Sequence, residues 1–309
     1  MVENGDILLG VDFGTGSCKV SAVSAEDGCL LGDASVEYAT EYAHAGWSEQ
    51  NPADWYAAMC GAIRSVAAKG VDLSKVRALA FDGSTHNAVL MDADYKPIRK
   101  TIMWTDQRSV AECALLREKY ADTIFETAYQ MPSPTWTLPQ MMWLKNNEPE
   151  VLKRTKRVLF VKDYVRYLLT GVAVSDYIEA QGTLFFDMGK GEWSRELVEL
   201  SGLDFDSLPK LVKPTDVVGH ITAEAAADTG LPEGAVVVCG TSDSAVEDYG
   251  AGAVEVGDCI VKLATAGNVN VMTAKPHPFK TTLTYVVYGI CYKYGSPLPT
   301  LVQGRILRV

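Results

Sequence analysis

The opening of the chain constrains it most. Ile7 to Phe13 is an apolar run at strand spacing, Gly14-Thr15-Gly16 turns the chain, and Val20, Ala22 and Val23 resume an extended apolar pattern. In a dinucleotide-binding unit a helix must follow the glycines. Here a second strand follows, which argues against that fold. What remains is a hairpin whose small residues let backbone N–H groups approach and cradle phosphate oxygens. Asp12, just before the turn, is placed to hold magnesium through water, since that ion takes one or two carboxylates and completes its shell with water and substrate oxygens. On these residues alone, an ordinary hairpin with a satisfied aspartate explains the pattern equally well.

Further along, strand and helix patterns alternate, which predicts an α/β fold. A helix is expected over Ala53 to Ala68, with Pro52 near its first turn and Trp55, Met59, Ile63 and Val66 at helical spacing. Val76 to Phe81 reads as a buried strand ending at Asp82-Gly83, followed by a polar loop and a short strand from Ala88 to Met91. Helices are expected at Ala111 to Tyr120, Leu138 to Asn147 and Asp163 to Thr170, the last stopped by Gly171. Ala235 to Cys239 is another buried strand, with Gly240-Thr241-Ser242-Asp243 opening a loop at its carboxyl end. A domain boundary is expected there, giving residues 1–240 and 241–309. Val11 to Gly16 is also echoed by Val261 to Ala266, each a strand, a small-Thr-small turn and a second strand. The echo suggests two similar domains facing each other.

Composition narrows the partners. Hydrophobic residues make up 48% and charged residues 22%, enough to build a packed core. The net charge of -11 repels nucleic acid and anionic membranes unless a basic patch offsets it. The densest basic run, Lys153 to Arg157, reads as a solvated helix end, where cations are favoured. Seven scattered cysteines in no ligand spacing read as reduced thiols. No signal peptide or membrane-length apolar run is read, so a cytoplasmic protein is expected.

Several segments, in order, resemble the FGGY carbohydrate kinases. Asp12-Phe13-Gly14-Thr15-Gly16-Ser17-Cys18-Lys19 is similar to the family's D-x-G-T-x-x-x-K opening. Gly46-Trp47-Ser48-Glu49-Gln50-Asn51-Pro52 with Trp55 resembles a stretch of its xylulokinase branch, and Trp104-Thr105-Asp106-Gln107-Arg108 matches W-x-D-x-R. Lys162-Asp163-Tyr164, Leu169-Thr170-Gly171 and Ser175 to Leu184 resemble the K-D-Y, L-T-G and D-Y-S-x-A-S-G-T-L run. Gly257-Asp258 through Gly267 is similar to the second phosphate motif. The resemblance spans about residues 7 to 287 and is specific in aggregate.

The resemblance implies an actin-like ATPase (ribonuclease H-like) fold, two domains around a cleft, with sugar on the first and ATP with Mg2+ mainly on the second. It implies that Asp243 is the catalytic base and also touches the sugar, accepting the proton of the attacking hydroxyl. Without it, Asp243 would read as a helix-capping aspartate. Thr85 and His86 fall where xylulokinases place sugar contacts, although Ser84 and Thr85 stand where those enzymes carry Gln and Met. Asp106 is a further sugar-contact candidate, while Arg108 leans towards holding its loop by pairing with Asp106. Gly14, Thr15, Gly16 and Lys19, with Thr265, Ala266 and Gly267, are the implied phosphate contacts, and Asp12 the metal contact. Trp55, Trp136 and Trp143 read as core.

The expected reaction is ATP-dependent phosphorylation of a ketopentose, D-xylulose to D-xylulose 5-phosphate. Alternatives are another polyol or sugar acid (ribulose, gluconate, a glycerol-like acceptor) or a non-catalytic sugar-binding fragment. The second domain is expected to be incomplete, because the tail after about Tyr285 departs from the family pattern and no adenine pocket is visible. The apolar strands Ile260 to Leu263 and Val269 to Met272 would then face water and favour self-association, a homodimer among the forms open to it.

Overall fold

The computed structural model describes residues 5–262, 268–286 and 300–305. β1 (Ile7–Phe13), β2 (Ser17–Ser24) and β3 (Leu30–Glu37) form an antiparallel meander. β4 (Val76–Gly83) joins β1 in parallel, and β5 (Val217–His220) and β6 (Val236–Val238) extend the sheet on the far side of β4. The order is β5-β6-β4-β1-β2-β3, with the short β7 (Thr241–Ser242) also pairing with β4.

Periodicity explains the core. Ile7, Leu9, Val11 and Phe13 alternate along β1 and are all buried. They share one cluster with Trp55, Met59, Ile63 and Val66 of α1 (Pro52–Ala68), which recur at helical spacing and are inaccessible. Each such side chain contributes roughly 1.5–3 kcal/mol on burial. α1 starts one residue earlier than expected, because Asn51 caps it by accepting from Ala53 N and Pro52 takes the first helical position.

α2 (Val110–Ala128) runs past the expected end at Tyr120. Its buried stripe continues through Ile124 and Ala128, and Tyr129 stops it in a left-handed conformation. With α3 (Thr137–Asn147) it builds a second core around Phe160, Leu184 and Phe185. α4 (Val161–Thr170) ends at Gly171, also left-handed, as the sequence suggests. The basic run closes the helix Pro149–Arg154, with Lys153 and Arg154 in its last turn.

A second sheet follows in the order β8 (Cys259–Lys262), β9 (Asn268–Thr273), β11 (Thr300–Arg305), β10 (Thr282–Val286), all antiparallel. The echoed strand–turn–strand is therefore a hairpin, like β1–β2. Its turn, with Thr265, Ala266 and Gly267, lies outside the described residues. The apolar strands are only partly open to water. Val261 is 58% exposed, but Met272 packs with Ile178, Ala245 and Ala253. Cys18, Cys29, Cys60, Cys113, Cys239 and Cys259 are free thiols. Among the described residues no helix is long and apolar enough to cross a membrane.

Candidate active site

The site lies where β1, β4 and β7 end side by side. Asp12 pairs in register with Asp82, and Asp82 with Thr241. Asp243 follows at once, as the first residue of α6 (Asp243–Gly250), behind the capping hydroxyl of Ser242. Parallel pairing thus brings three carboxyl groups from distant sequence positions to one edge. β6 and β7 are separated at Gly240, whose φ of 73° suits glycine and where a Cβ would stand 1.8 Å from Phe81 O. That close approach turns the chain ahead of β7, and Asp243 follows at the carboxyl end of these central strands.

The hairpin turn is held by hydrogen bonds to its own backbone. Gly14 N donates to Ser17 O at 3.0 Å and closes it. Every carbonyl of the turn is tied back: Gly14 O by the Tyr38 hydroxyl, Thr15 O by Gln50 Nε2 at 2.7 Å, and Gly16 O by Tyr38 N at 3.1 Å. Thr15 and Gly16 are exposed. With its carbonyls turned inward, the loop leaves its N–H side for phosphate oxygens. Lys19 Nζ lies 3.9 Å from Asp12 Oδ2.

The cleft beside this edge has a volume of about 410 Å³. Thr85, His86 and Asp243 all line it, together with Trp104 and Trp136, and Lys262, Leu283 and Tyr285 form part of the facing wall. Burial, with a smaller contribution from Asp12, pushes the Asp243 carboxyl up to about 6, against the hydrogen bond from Ser244 N at 2.6 Å. Asp82 is pushed up to about 8 by burial and by Asp12, with Asp243 adding a further like charge. Among the described residues no group of three or more side chains forms a metal cage. A metal here would rest on one or two of these hard oxygen donors, which suits magnesium, and its charge would relieve the crowding of carboxylates.

His86 is buried, and burial lowers its ring to about 3, so the imidazole is neutral with one donor and one acceptor nitrogen. Its Nδ1 has no hydrogen-bond partner among the described residues. The backbone at His86 is left-handed, at φ 53°, held by its N–H donating to Glu179 Oε1 and its carbonyl accepting from Thr137 Oγ1 at 2.8 Å.

Asp106 is found in the loop-holding pairing with Arg108 and does not line the cleft as a sugar contact. It is inaccessible and both oxygens are committed, accepting from Ser48 N at 2.6 Å and from the Arg108 fork at 2.9 and 2.8 Å. Arg108 also pairs with Glu49 at 2.7 Å and lies 3.8 Å over the Trp47 ring. The pair holds the loop, so Asp106 is a structural residue and not a cleft contact. Trp55, Trp136 and Trp143 are core or packing residues, as expected, and Trp136 also lines the cleft edge-on to His86.

Three residues were passed over in the sequence. Asp82 looked like the end of a buried strand. Asn87 looked like loop, yet its Nδ2 donates to Ser84 O at 2.8 Å and its Oδ1 accepts from Trp104 N at 2.5 Å. Trp104, 40% exposed, spans from this loop to the hairpin turn through Nε1 and Thr15 Oγ1 at 3.3 Å. The place of Trp104 at the head of the W-x-D-x-R match is the signal the sequence offers for it.

Comparison with known proteins agrees with this geometry. The N-terminal domain of the FGGY family of carbohydrate kinases matches residues 7–250. The xylulose kinase of Bacillus subtilis (strain 168) is 32% identical over 302 residues, covering 97% of this chain and 60% of its own length. The solved xylulose kinase from Rhodospirillum rubrum has a TM-score of 0.90 at 26% identity, over 98% of this chain and 61% of that one. The xyloylose kinase from Brucella ovis gives 0.89 at 31%, over 98% and 61%. The chain spans about 60% of the length of the relatives it matches. The 97% coverage carries the likeness past residue 287, beyond the last of the family-like motifs. One family thus accounts for most of the sequence and for the arrangement of its strands: the chain belongs to the FGGY family of carbohydrate kinases.

Proposed function

We propose that this chain carries the acceptor site of an ATP-dependent kinase for a ketopentose, D-xylulose in the first instance, forming D-xylulose 5-phosphate. The observation that carries the proposal is the meeting of Asp243, Thr85 and His86 on one cleft beside the phosphate-type turn. Asp243 acts as general base. Its carboxyl, pushed up to about 6, is ionised at neutral pH yet basic enough to take the proton of the attacking hydroxyl. His86 and Thr85 orient the sugar, and the Gly14–Gly16 turn with Lys19 fixes phosphate oxygens. Thr265, Ala266 and Gly267 are proposed to do the same from the second sheet. Magnesium, held through Asp12, supplies charge neutralisation on the phosphates when bound. Most of the rate comes from positioning and charge stabilisation, since a general base gives about 10²–10⁴-fold.

The proposal extends to two domains meeting near residue 240 and to a cytoplasmic homodimer with sugar and ATP as partners and no nucleic acid. Sedimentation velocity tests the dimer. A sugar-acid acceptor such as gluconate is the second reading, favoured because Arg117, Lys262 and Lys280 also line the cleft. Thermal shift with xylulose, ribulose, glycerol and gluconate tests the acceptor site. Saturating ligand stabilises by about 2.7 kcal/mol at a hundredfold excess over Kd. No shift with any of the four at tens of millimolar rejects the acceptor site, and a shift with gluconate alone selects the sugar acid. Sugar-stimulated ATP consumption separates a kinase from a sugar-binding fragment.

A further inference from the structure

Behind the cleft lie five charged side chains that the proposed chemistry does not use. Lys162, Asp163, Arg166, Asp176 and Glu179 are each 1% exposed or less. Lys162 and Arg166 belong to α4, and Asp176 caps α5 (Tyr177–Gln181), which contains Glu179. Lys162 Nζ stands 2.7 Å from Asp163 Oδ1, 2.7 Å from Asp176 Oδ2 and 3.6 Å from Glu179 Oε2.

Two of these carboxylates lead directly to the site. Glu179 Oε1 accepts the backbone N–H of His86 and so holds the left-handed bend of the sugar loop. Asp176 Oδ1 accepts from Thr241 Oγ1 at 2.6 Å, on the strand that ends before Asp243. Arg166 adds a third link, donating to Asp163 Oδ1 at 2.9 Å and to Cys239 O at 2.6 Å on the same approach. Stability alone is a poor reason for such a cluster, because buried ion pairs are often replaceable by apolar residues at no loss. Its geometry does something apolar residues cannot: one ammonium sets the spacing of two carboxylates, each bonded to a different half of the site.

We infer that Lys162 is a positioning residue for phosphoryl transfer, fixing the His86 loop and the Asp243 strand relative to one another through Glu179 and Asp176. The inference rests on the acceptor site proposed above. Lys162→Met would leave three buried carboxylates with one cation and is expected to fold poorly, so the test uses the two ends of the network. Glu179→Gln keeps an oxygen for the His86 N–H but removes the carboxyl oxygen facing Lys162. Thr241→Val keeps shape but cuts the bond to Asp176.

Xylulose affinity is measured by isothermal titration calorimetry for the wild type, both single variants and the double variant, with urea unfolding of each alongside. Each single change is expected to weaken binding about three- to tenfold, and the double change by at least about threefold less than their product, as coupled residues behave. Additive effects overturn the inference. So does unchanged affinity in folded single variants that have lost only stability, which is the outcome for a purely structural cluster. If the wild type binds none of the four polyols and acids tested above, the acceptor site itself is rejected and this inference with it.

Discussion

Asp243 and Asp82 show how the same side chain takes different roles a few ångströms apart. Asp243 opens a helix on the cleft wall, so its carboxylate can meet a substrate hydroxyl. Asp243→Asn keeps the shape and removes the base. In the complete enzyme turnover should fall about 10²–10⁴-fold with little change in sugar affinity, and retention of a tenth of the wild-type kcat would show that another group accepts the proton. Asp82 sits between Asp12 and Thr241 and holds its proton up to about 8, against 3.8 when free. The folded state therefore binds more protons than the unfolded state between those values. Stability falls as pH rises from about 4 through 8, and Asp243 adds a similar fall that ends near 6. Glu179, which burial also pushes up to about 8, contributes over the same range, so in Asp82→Asn the decline between pH 6 and 8 should become shallower, and the variant should be more stable than the wild type at pH 8.5, as read by urea midpoints across the range. An unchanged slope between pH 6 and 8 in the variant would move the assignment away from Asp82. Neither Asp82 nor its partners could be identified from spacing, since Asp82-Gly83 reads as the punctuation after a strand. Only the register of two parallel neighbours gives it company. His86 and Asp243 came to notice through the family resemblance; on its own residues Asp243 reads as a helix-capping aspartate, which is also the place it takes at the start of α6.

At the level of elements, legibility followed the strength of the periodic signal. β1 and α1 have clean alternation and clean helical spacing, and their bounds came out within a residue. α2 was cut short because Arg117, Glu118 and Lys119 interrupt its apolar stripe before Ile124 and Ala128 restore it. The short β7 was read as loop: two residues give no period, and its place is set by Asp82 and Gly83 beside it. Asp106 was misplaced for a related reason. A carboxylate in a tryptophan-rich motif looks like a ligand contact until the Arg108 fork and Ser48 N are seen to occupy it. The break at Gly240 is the element-scale feature with the sharpest consequence. A side chain there would need both a left-handed backbone, costing of order 1–3 kcal/mol, and room beside Phe81 O that does not exist. Gly240→Ala is expected to lower the urea unfolding free energy by at least about 3 kcal/mol or to yield no folded protein. A variant within about 1 kcal/mol of the wild type would mean that β6 and β7 can part without disturbing β4.

For the whole molecule, the question is what keeps the second sheet facing the first. No local pattern announces it, because the contacts pair side-chain amides with backbone far away in the chain. Gln130 Nε2 donates to Thr284 O at 2.7 Å, Gln181 Nε2 donates to Val286 O at 2.9 Å, and Gln181 Oε1 accepts from Val286 N at 2.7 Å. These bonds are buried, and they treat β10 as an added strand whose ladder partners are two glutamines. Leu283 and Tyr285 of the same strand pack against the α2–α3 core and line the cleft, so the seating of β10 sets the width of the cleft. Gln181→Ala removes two of the three bonds and leaves a buried N–H and C=O on Val286 without partners, at a cost of about 1–3 kcal/mol. That cost should fall on the second sheet first, since β1, β2 and β4 have their own ladder and core. Hydrogen exchange is the discriminating measurement. Amides of β9 and β10 should lose protection in Gln181→Ala while those of β1 and β4 keep theirs, and xylulose should bind at least about threefold more weakly, because a loosened wall no longer holds the cleft to size. Uniform loss of protection across both sheets would instead show that the molecule opens as a single cooperative unit and that the glutamines only add to its global stability.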